Sequence, residues 1–178
     1  MKPTKYFSSK HEKMVADCLG WEVVPGSGAR NFHPGDVVSE RFLGECKTHV
    51  SEQTSIVFYR DIWDKIYAEA TSQLKVPVLF VDDGTQVLNH TWCLFPIGLI
   101  PAWASDKFYN CQAHVLYPEL ERDRNINIHL DPLKARKVLK DYSVPDRVNF
   151  ISLNWGTDVM GLLPLNQFAE LLEFIDNL

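Results

Sequence analysis

Glu45 and Lys47 stand two residues apart at the end of the segment GDVVSERFLGECK, and Asp36 stands nine residues before Glu45. Phosphodiester hydrolysis needs a carboxylate that holds a hard divalent cation, and a cation or acid that orients water and offsets developing negative charge. Glu45 suits the first role and Lys47 the second. On a strand, residues two apart project from one face, so both side chains would share a side of the sheet while Cys46 points into the core. A hairpin would bring Asp36 close to Glu45. The two carboxylates, the backbone carbonyl of Cys46 and a substrate phosphate would then complete the shell of a Mg²⁺ ion that keeps several waters, one of them the nucleophile. Taken singly, the three residues fit solvent-facing strand positions with balanced charge, because a bare D-x(n)-E-x-K pattern is common. The surrounding elements must supply the specificity.

Those elements are readable in outline. Met14, Val15, Cys18 and Leu19 recur at helical spacing and Gly20 follows them, which predicts a helix over 9–19. Trp21 to Val24 reads as a short strand, broken by Pro25-Gly26-Ser27-Gly28 into a loop that runs to Gly35. Asp36 to Ser39 and Leu43 to Thr48 read as a hairpin; its turn around Glu40 and Arg41 lacks Asn-Gly or Asp-Gly, which predicts a longer or bulged connection. Ile62, Trp63, Ile66, Tyr67, Ala70 and Leu74 mark an amphipathic helix over about 60–75, and Val76 to Val81 a buried strand. The order helix, strand, strand, strand, helix, strand predicts a mixed sheet with helices against it. Beyond Asp82-Asp83-Gly84, strands are expected at Thr91–Phe95, Ile126–Leu130 and Asn149–Leu153, and helices at Pro132–Asp141 and Leu165–Phe174. Residues 1–178 are expected to form a single domain, with a core over 8–82 and residues 83–178 as an elaboration packed on it.

Composition narrows the function classes. The chain has 178 residues, 46% hydrophobic and 23% charged, an ordinary globular balance. A net charge of −5 argues against a protein that coats nucleic acid nonspecifically, yet it leaves room for a nuclease, whose metal site collects carboxylates. No apolar run approaches a membrane span and MKPTKYFSSKHEK lacks a signal-peptide core, so a cytoplasmic protein with no membrane partner is expected. Cys18, Cys46, Cys93 and Cys111 form no CxxC pair and are expected to be reduced and mostly buried. The stretch Gly26-Ser27-Gly28-Ala29-Arg30 does not have P-loop spacing, so no nucleotide cofactor is expected. His11, His33 and His49 lack metal-ligand spacing and are expected at the surface or behind the site. Trp92, Trp103, Tyr109 and Trp155, with no interleaved basic residues, are expected in the core.

Taken together, a helix carrying Glu12, the loop GSGARNFHPGD, a strand pair ending GECK, an amphipathic helix and the strand VPVLFV resemble the core of the PD-(D/E)XK nucleases. Within that superfamily the chain is most similar to the Holliday junction resolvase-like branch. Gly35 stands where the motif is named for proline, with Pro34 one place earlier. The resemblance spans roughly residues 8 to 82. It implies an α/β, restriction-endonuclease-like mixed sheet flanked by helices, with a C-terminal α+β elaboration. It also implies Mg²⁺ dependence, with Mn²⁺ able to substitute, and cleavage of DNA through Asp36, Glu45 and Lys47. Glu12 would be a further metal or water-orienting carboxylate; on sequence alone, Ser9-Lys10-His11-Glu12 equally fits a helix capping box. Exposed amides at Ser27, together with Arg30 and Lys65, would contact DNA phosphate, or else serve as plain loop and surface residues. The branch implies branched DNA, a homodimer, and a role in recombination, repair or phage DNA processing in a bacterial or phage-infected cell. The competing reading is a catalytically inactive nuclease-fold module that binds DNA or a protein partner.

Overall fold

In the computed structural model of the chain, residues 4–25, 34–97, 112–120, 125–129 and 149–176 are described. Helix α1 (Thr4–Leu19) ends as its glycine requires: Gly20 takes a φ of 66°, and the Trp21 amide donates back to the Ala16 carbonyl at 3.0 Å. This is a Schellman closure, in which a left-handed residue just past the helix returns the chain. The helix starts five residues earlier than its apolar spacing predicts. Ser9 therefore lies inside it, and the capping-box reading of Ser9 and Glu12 does not hold.

After strand β1 (Glu22–Val23), β2 (Val37–Val38) and β3 (Phe42–Lys47) form the expected antiparallel hairpin, with Val37 opposite Gly44 and Val38 opposite Leu43. Three residues, Ser39 to Arg41, connect them. Ser39 Oγ accepts the Phe42 amide at 3.1 Å, and the Ser39 amide donates to the Phe42 carbonyl at 3.0 Å. The short strand β4 (Ser55–Phe58), absent from the sequence reading, precedes helix α2 (Arg60–Ser72). Trp63, Ile66 and Ala70 bury the inner face of α2, as predicted. Tyr67 and Leu74 do not join them, being 39% and 95% exposed. The helix stops before Leu74, which itself adopts a φ of 57°, while Lys75 and Leu74 donate to the carbonyls of Ala70 and Thr71. This is a second Schellman closure, here with leucine in the position that glycine usually fills.

Strand β5 (Val76–Asp82) returns parallel to β3, pairing Glu45 with Leu79 and Lys47 with Val81. A short 3-10 turn (Leu88–His90) leads into β6 (Thr91–Pro96), antiparallel to β5. The remaining elements are β7 (Gln112–Leu120), β8 (Ile126–His129), β9 (Asn149–Trp155), β10 (Asp158–Pro164) and helix α3 (Leu165–Asp176). The protein is thus mixed α/β: an eight-stranded mixed sheet in the order β1-β2-β3-β5-β6-β10-β9-β7, a separate β4-β8 pair, and three helices among the described residues. Strands β7 and β10 are additions to the sequence reading. Strands β6, β10, β9 and β7 extend the same sheet that the first half begins. The predicted helix over 132–141 lies outside the described residues. Among the described residues no helix is long and apolar enough to cross a membrane.

Alternation along the strands divides the core between the two faces. Leu43, Leu79, Val81, Leu94 and Leu162 pack with Trp63 and Ile66 of α2 and with Ile56, Phe58 and Ile126 of the small sheet. Cys46, Val78, Phe80, Cys93 and Phe95 pack with Val15 and Ala16 of α1 and with Leu165, Phe168 and Leu171 of α3. Helices on both faces fix β3, in the interior of the sheet, as the rigid support for whatever its polar end carries.

Candidate active site

The hairpin register decides where Asp36 sits. One residue past the Val37–Gly44 pair, Asp36 comes opposite Glu45, as the sequence reading requires. Its backbone is held on both sides: the Asp36 amide donates to Gly44 at 2.8 Å, and its carbonyl accepts from Val24 at 2.9 Å. Its side chain is held too, since Oδ2 accepts the buried Cys46 amide at 2.9 Å. Gly44 lets Val37 and Phe80 pack against the hairpin here, because a Cβ there would lie 2.5 Å from the Phe80 ring and 2.7 Å from Val37.

Glu45 is only 6% exposed. A buried carboxylate needs partners, and two lysines supply them: Lys47 Nζ lies 2.6 Å from Oε1, and Lys65 Nζ of α2 lies 3.9 Å from Oε2. Burial works to lower the Lys47 pKa, but the hydrogen bond and charge of Glu45, with Asp36 adding to them, hold it above the ordinary lysine value. Lys65 also lies 3.8 Å from Glu69, one helical turn on, and Glu69 Oε2 accepts the Gly35 amide at 3.3 Å. Glu69 thereby ties α2 to the turn that presents Asp36, a link visible in sequence only as an i,i+4 partner of Lys65.

Glu12 arrives from α1. Its pKa is raised by burial first, then by the negative charges of Asp36 and Glu45, with Lys47 opposing. Glu12 thus feels the carboxylates of two other chain segments. Glu12, Asp36, Glu45, Cys46, Lys47 and Lys65 all line one cavity of about 1020 Å³. The α1 wall of that cavity consists of Lys5, Ser8, Ser9, Glu12, Lys13, Ala16 and Asp17, a single helical stripe at i, i+3, i+4 and i+7 spacing. Lys5, Ser8, Ser9 and Lys13 were detectable by projecting that stripe from Glu12.

Other expected residues fall elsewhere. Ser27, Arg30 and His33 lie outside the described residues, as do Trp103, Tyr109 and Cys111. Cys46 and Cys93 are buried free thiols, and Cys18 is half-buried. Trp92 and Trp155 are core residues, as expected. His11 is a correction. It is fully buried, neither ring nitrogen has a hydrogen-bond partner, and burial lowers its pKa to about 4, so it is a neutral packing residue under α1 and not a surface one.

Among the described residues no group of three or more His, Cys, Asp or Glu side chains is placed to hold a metal ion. What the cavity wall carries is three separate carboxylates, those of Glu12, Asp36 and Glu45. That set suits a hard cation in kind, and Mg²⁺ is commonly held by one or two carboxylates and completed by water and substrate phosphate. In comparisons with protein-family models, curated proteins and solved structures, the chain matches none.

Proposed function

We propose that the protein is a Mg²⁺-dependent DNA endonuclease of the PD-(D/E)XK type, with a restriction-endonuclease-like core over residues 8–82. The observation that carries this reading is a shared cavity: Glu12, Asp36, Glu45 and Lys47, singled out from sequence, all line it although they come from three segments of the chain. The order α1, β1, β2–β3 hairpin, α2 and parallel β5 supports the same reading. The cavity wall is also less acidic than the chain as a whole. Four lysines, Lys5, Lys13, Lys47 and Lys65, share its wall with four carboxylates, although the chain carries a net charge of −5.

Asp36 and Glu45 would hold Mg²⁺ with the Cys46 carbonyl, and Glu12 would add a carboxylate from the opposite wall; Mn²⁺ has the coordination chemistry to replace it. Bound there, the ion supplies Lewis-acid polarisation of the phosphate and a more acidic water. The chain's own residues do the rest. Asp36 is pre-positioned by the Cys46 amide. Lys47, charged at neutral pH, passes from Glu45 to the phosphate oxygen where negative charge develops. Glu12, whose pKa is raised by burial and by the charges of Asp36 and Glu45, is thereby a stronger base when ionised and suited to accept a proton from the attacking water. Lys5 and Lys13 hold flanking phosphates, which position the strand without reading its sequence.

Preference for branched DNA belongs to the same proposal and would require a homodimer presenting two such cavities. The test is cleavage of branched, duplex and single-stranded DNA by the parent, Asp36→Asn and Lys47→Met, with and without Mg²⁺. Cutting that needs Mg²⁺ and both side chains supports the reading. If the parent binds DNA and cuts none of the three substrates, the chain is instead an idle nuclease fold used for binding.

A further inference from the structure

The proposed chemistry needs Glu12 on α1 to keep a set distance from Glu45 and Lys47 on β3. The inner side of α1 toward its C-terminal end is packed, through Val15 and Ala16, against the sheet. The N-terminal half has a different surface, since Lys5, Ser8 and Ser9 turn their polar stripe to the cavity. His11 is the first buried residue of α1, so packing is weakest over the turns that lead up to Glu12.

At that end lies a turn whose construction exceeds what chain reversal needs. Asp82, the last residue of β5, is fully buried, and no ion pair balances it among the described residues. Its Oδ2 accepts the Thr48 hydroxyl at 2.8 Å and the Gly84 amide at 3.1 Å, while the Gln86 amide donates to Oδ1 at 3.0 Å and to Oδ2 at 3.1 Å. Thr48 immediately follows Lys47 and lines the cavity. Gln86 is held at a φ of 55°, a left-handed conformation unusual for a side chain of its size. From there Nε2 donates to the Phe7 carbonyl of α1 at 2.7 Å. Gly84 locks the turn from behind, because a Cβ at its φ of 98° would lie 2.2 Å from the Ser51 carbonyl oxygen. Burying a carboxylate without a counter-ion is costly, and a reverse turn alone does not call for one.

We propose that Asp82 and Gln86 form a clamp that sets α1 against β3, making them positioning residues for Glu12 relative to Glu45 and Lys47. One hydroxyl ties the clamp to the strand that carries the catalytic lysine; one amide ties it to the helix that carries the third carboxylate. Asparagine replaces Asp82 poorly, since its NH₂ would face the Gln86 amide and leave one oxygen to accept from Thr48, Gly84 and Gln86.

The catalytic part of this inference rests on the nuclease reading, and the test separates the two. Gln86→Met keeps length and removes the donor; Asp82→Asn removes acceptor capacity from the same turn. Amide hydrogen exchange and DNA cleavage are measured on both variants in the full chain. Losing one neutral hydrogen bond should raise exchange over residues 8–12, the first amides with intrahelical acceptors, roughly three- to tenfold in Gln86→Met, with β5 and β6 unchanged. Misplacing Glu12 should lower kcat by about 10- to 100-fold while KM stays within about twofold. Unchanged exchange in α1 overturns the clamp, and kcat unchanged, or lost only in step with KM, overturns its positioning role. If Asp82→Asn fails to fold, Gln86→Met decides alone. A parent that cuts no DNA sinks the nuclease reading, and the exchange result still decides whether the clamp exists.

Discussion

Replacing Lys47 separates a catalytic lysine from one that merely balances charge. The Lys47–Glu45 contact at 2.6 Å joins a side chain 44% exposed to one 8% exposed. Such a pair falls between an exposed ion pair, worth about 0.2–1 kcal/mol after solvent screening, and a buried pair whose rupture costs about 3–5 kcal/mol. Lys65 at 3.9 Å remains to compensate Glu45. The expected cost of Lys47→Met is therefore about 1–2 kcal/mol, a fall in Tm of roughly 2–8 °C for a domain of this size. Against a typical stability of about 5–15 kcal/mol, that leaves more than about 99% of the chain folded at room temperature. Unfolding then cannot account for more than a percent or so of lost activity. Removing a cation aimed at developing charge should cost at least about 100-fold in kcat, or ~2.7 kcal/mol of barrier. Lys47→Arg sharpens the test: it keeps the charge and the pairing with Glu45, so Tm should hold, but its planar fork cannot reproduce a point charge at the phosphate, so activity should still fall. The assay is single-turnover cleavage of labelled DNA at saturating Mg²⁺, read beside a thermal melt. Either variant cutting within about twofold of the parent would refute the catalytic role, on the tenfold-per-1.4 kcal/mol scale used here.

Further outcomes follow from the same geometry. Glu12→Gln should raise Tm at neutral pH while lowering Mg²⁺-dependent cleavage; a folded-state pKa above the unfolded value means that stability is lost as pH rises through it, so the Tm gain should vanish below the ordinary glutamate range, and equal melts at both pH values would contradict this. Lys5→Ala and Lys13→Ala should raise KM with little change in kcat and each reduce the salt slope of DNA binding by about 1; an unchanged slope would remove α1 from the binding wall. Leu74→Gly should stabilise the chain by up to about 1 kcal/mol in a denaturant melt, because leucine holds a left-handed φ of 57° while 95% exposed, so it loses no packing; a lower midpoint would show that the side chain is engaged.

The first half of the fold is legible because its local signals agree with its tertiary environment. Gly20 closes α1, alternation in FLGECK gives β3, and the Trp63, Ile66 and Ala70 spacing gives the buried face of α2. Misreadings occur where a long-range contact decides. Strand β4 is four residues long and exists through pairing with β8, some seventy residues away: Ser55 stands opposite His129 and Phe58 opposite Ile126. Strand β10 carries Gly161 and Pro164, which read as breakers; Gly161 is needed because a Cβ would lie 2.4 Å from the Phe95 ring, and Pro164 closes the strand just before α3. His11 looks polar in sequence, yet the helix face it shares with Val15 is buried.

The site shows the same division, and it explains why GDVVSERFLGECK is informative beyond its charges. Strand alternation alone puts Glu45 and Lys47 on one face; the hairpin register then puts Asp36 opposite Glu45. Both steps are local and both were readable. Glu12 has no local reason to join them, because only packing of α1 on β3 brings it near, and its capping-box spacing invited a different assignment. Glu69 and the Asp82–Gln86 turn are silent for the same reason. Each acts across elements: Glu69 on the Gly35 amide, Asp82 on the Thr48 hydroxyl and Gln86 on the Phe7 carbonyl. The hairpin therefore specifies which atoms could do chemistry, while the two helices and the β5 turn decide whether those atoms are held close enough to do it. Mutations that spare every charged residue of the cavity but loosen those supports should consequently lower kcat before they lower DNA affinity.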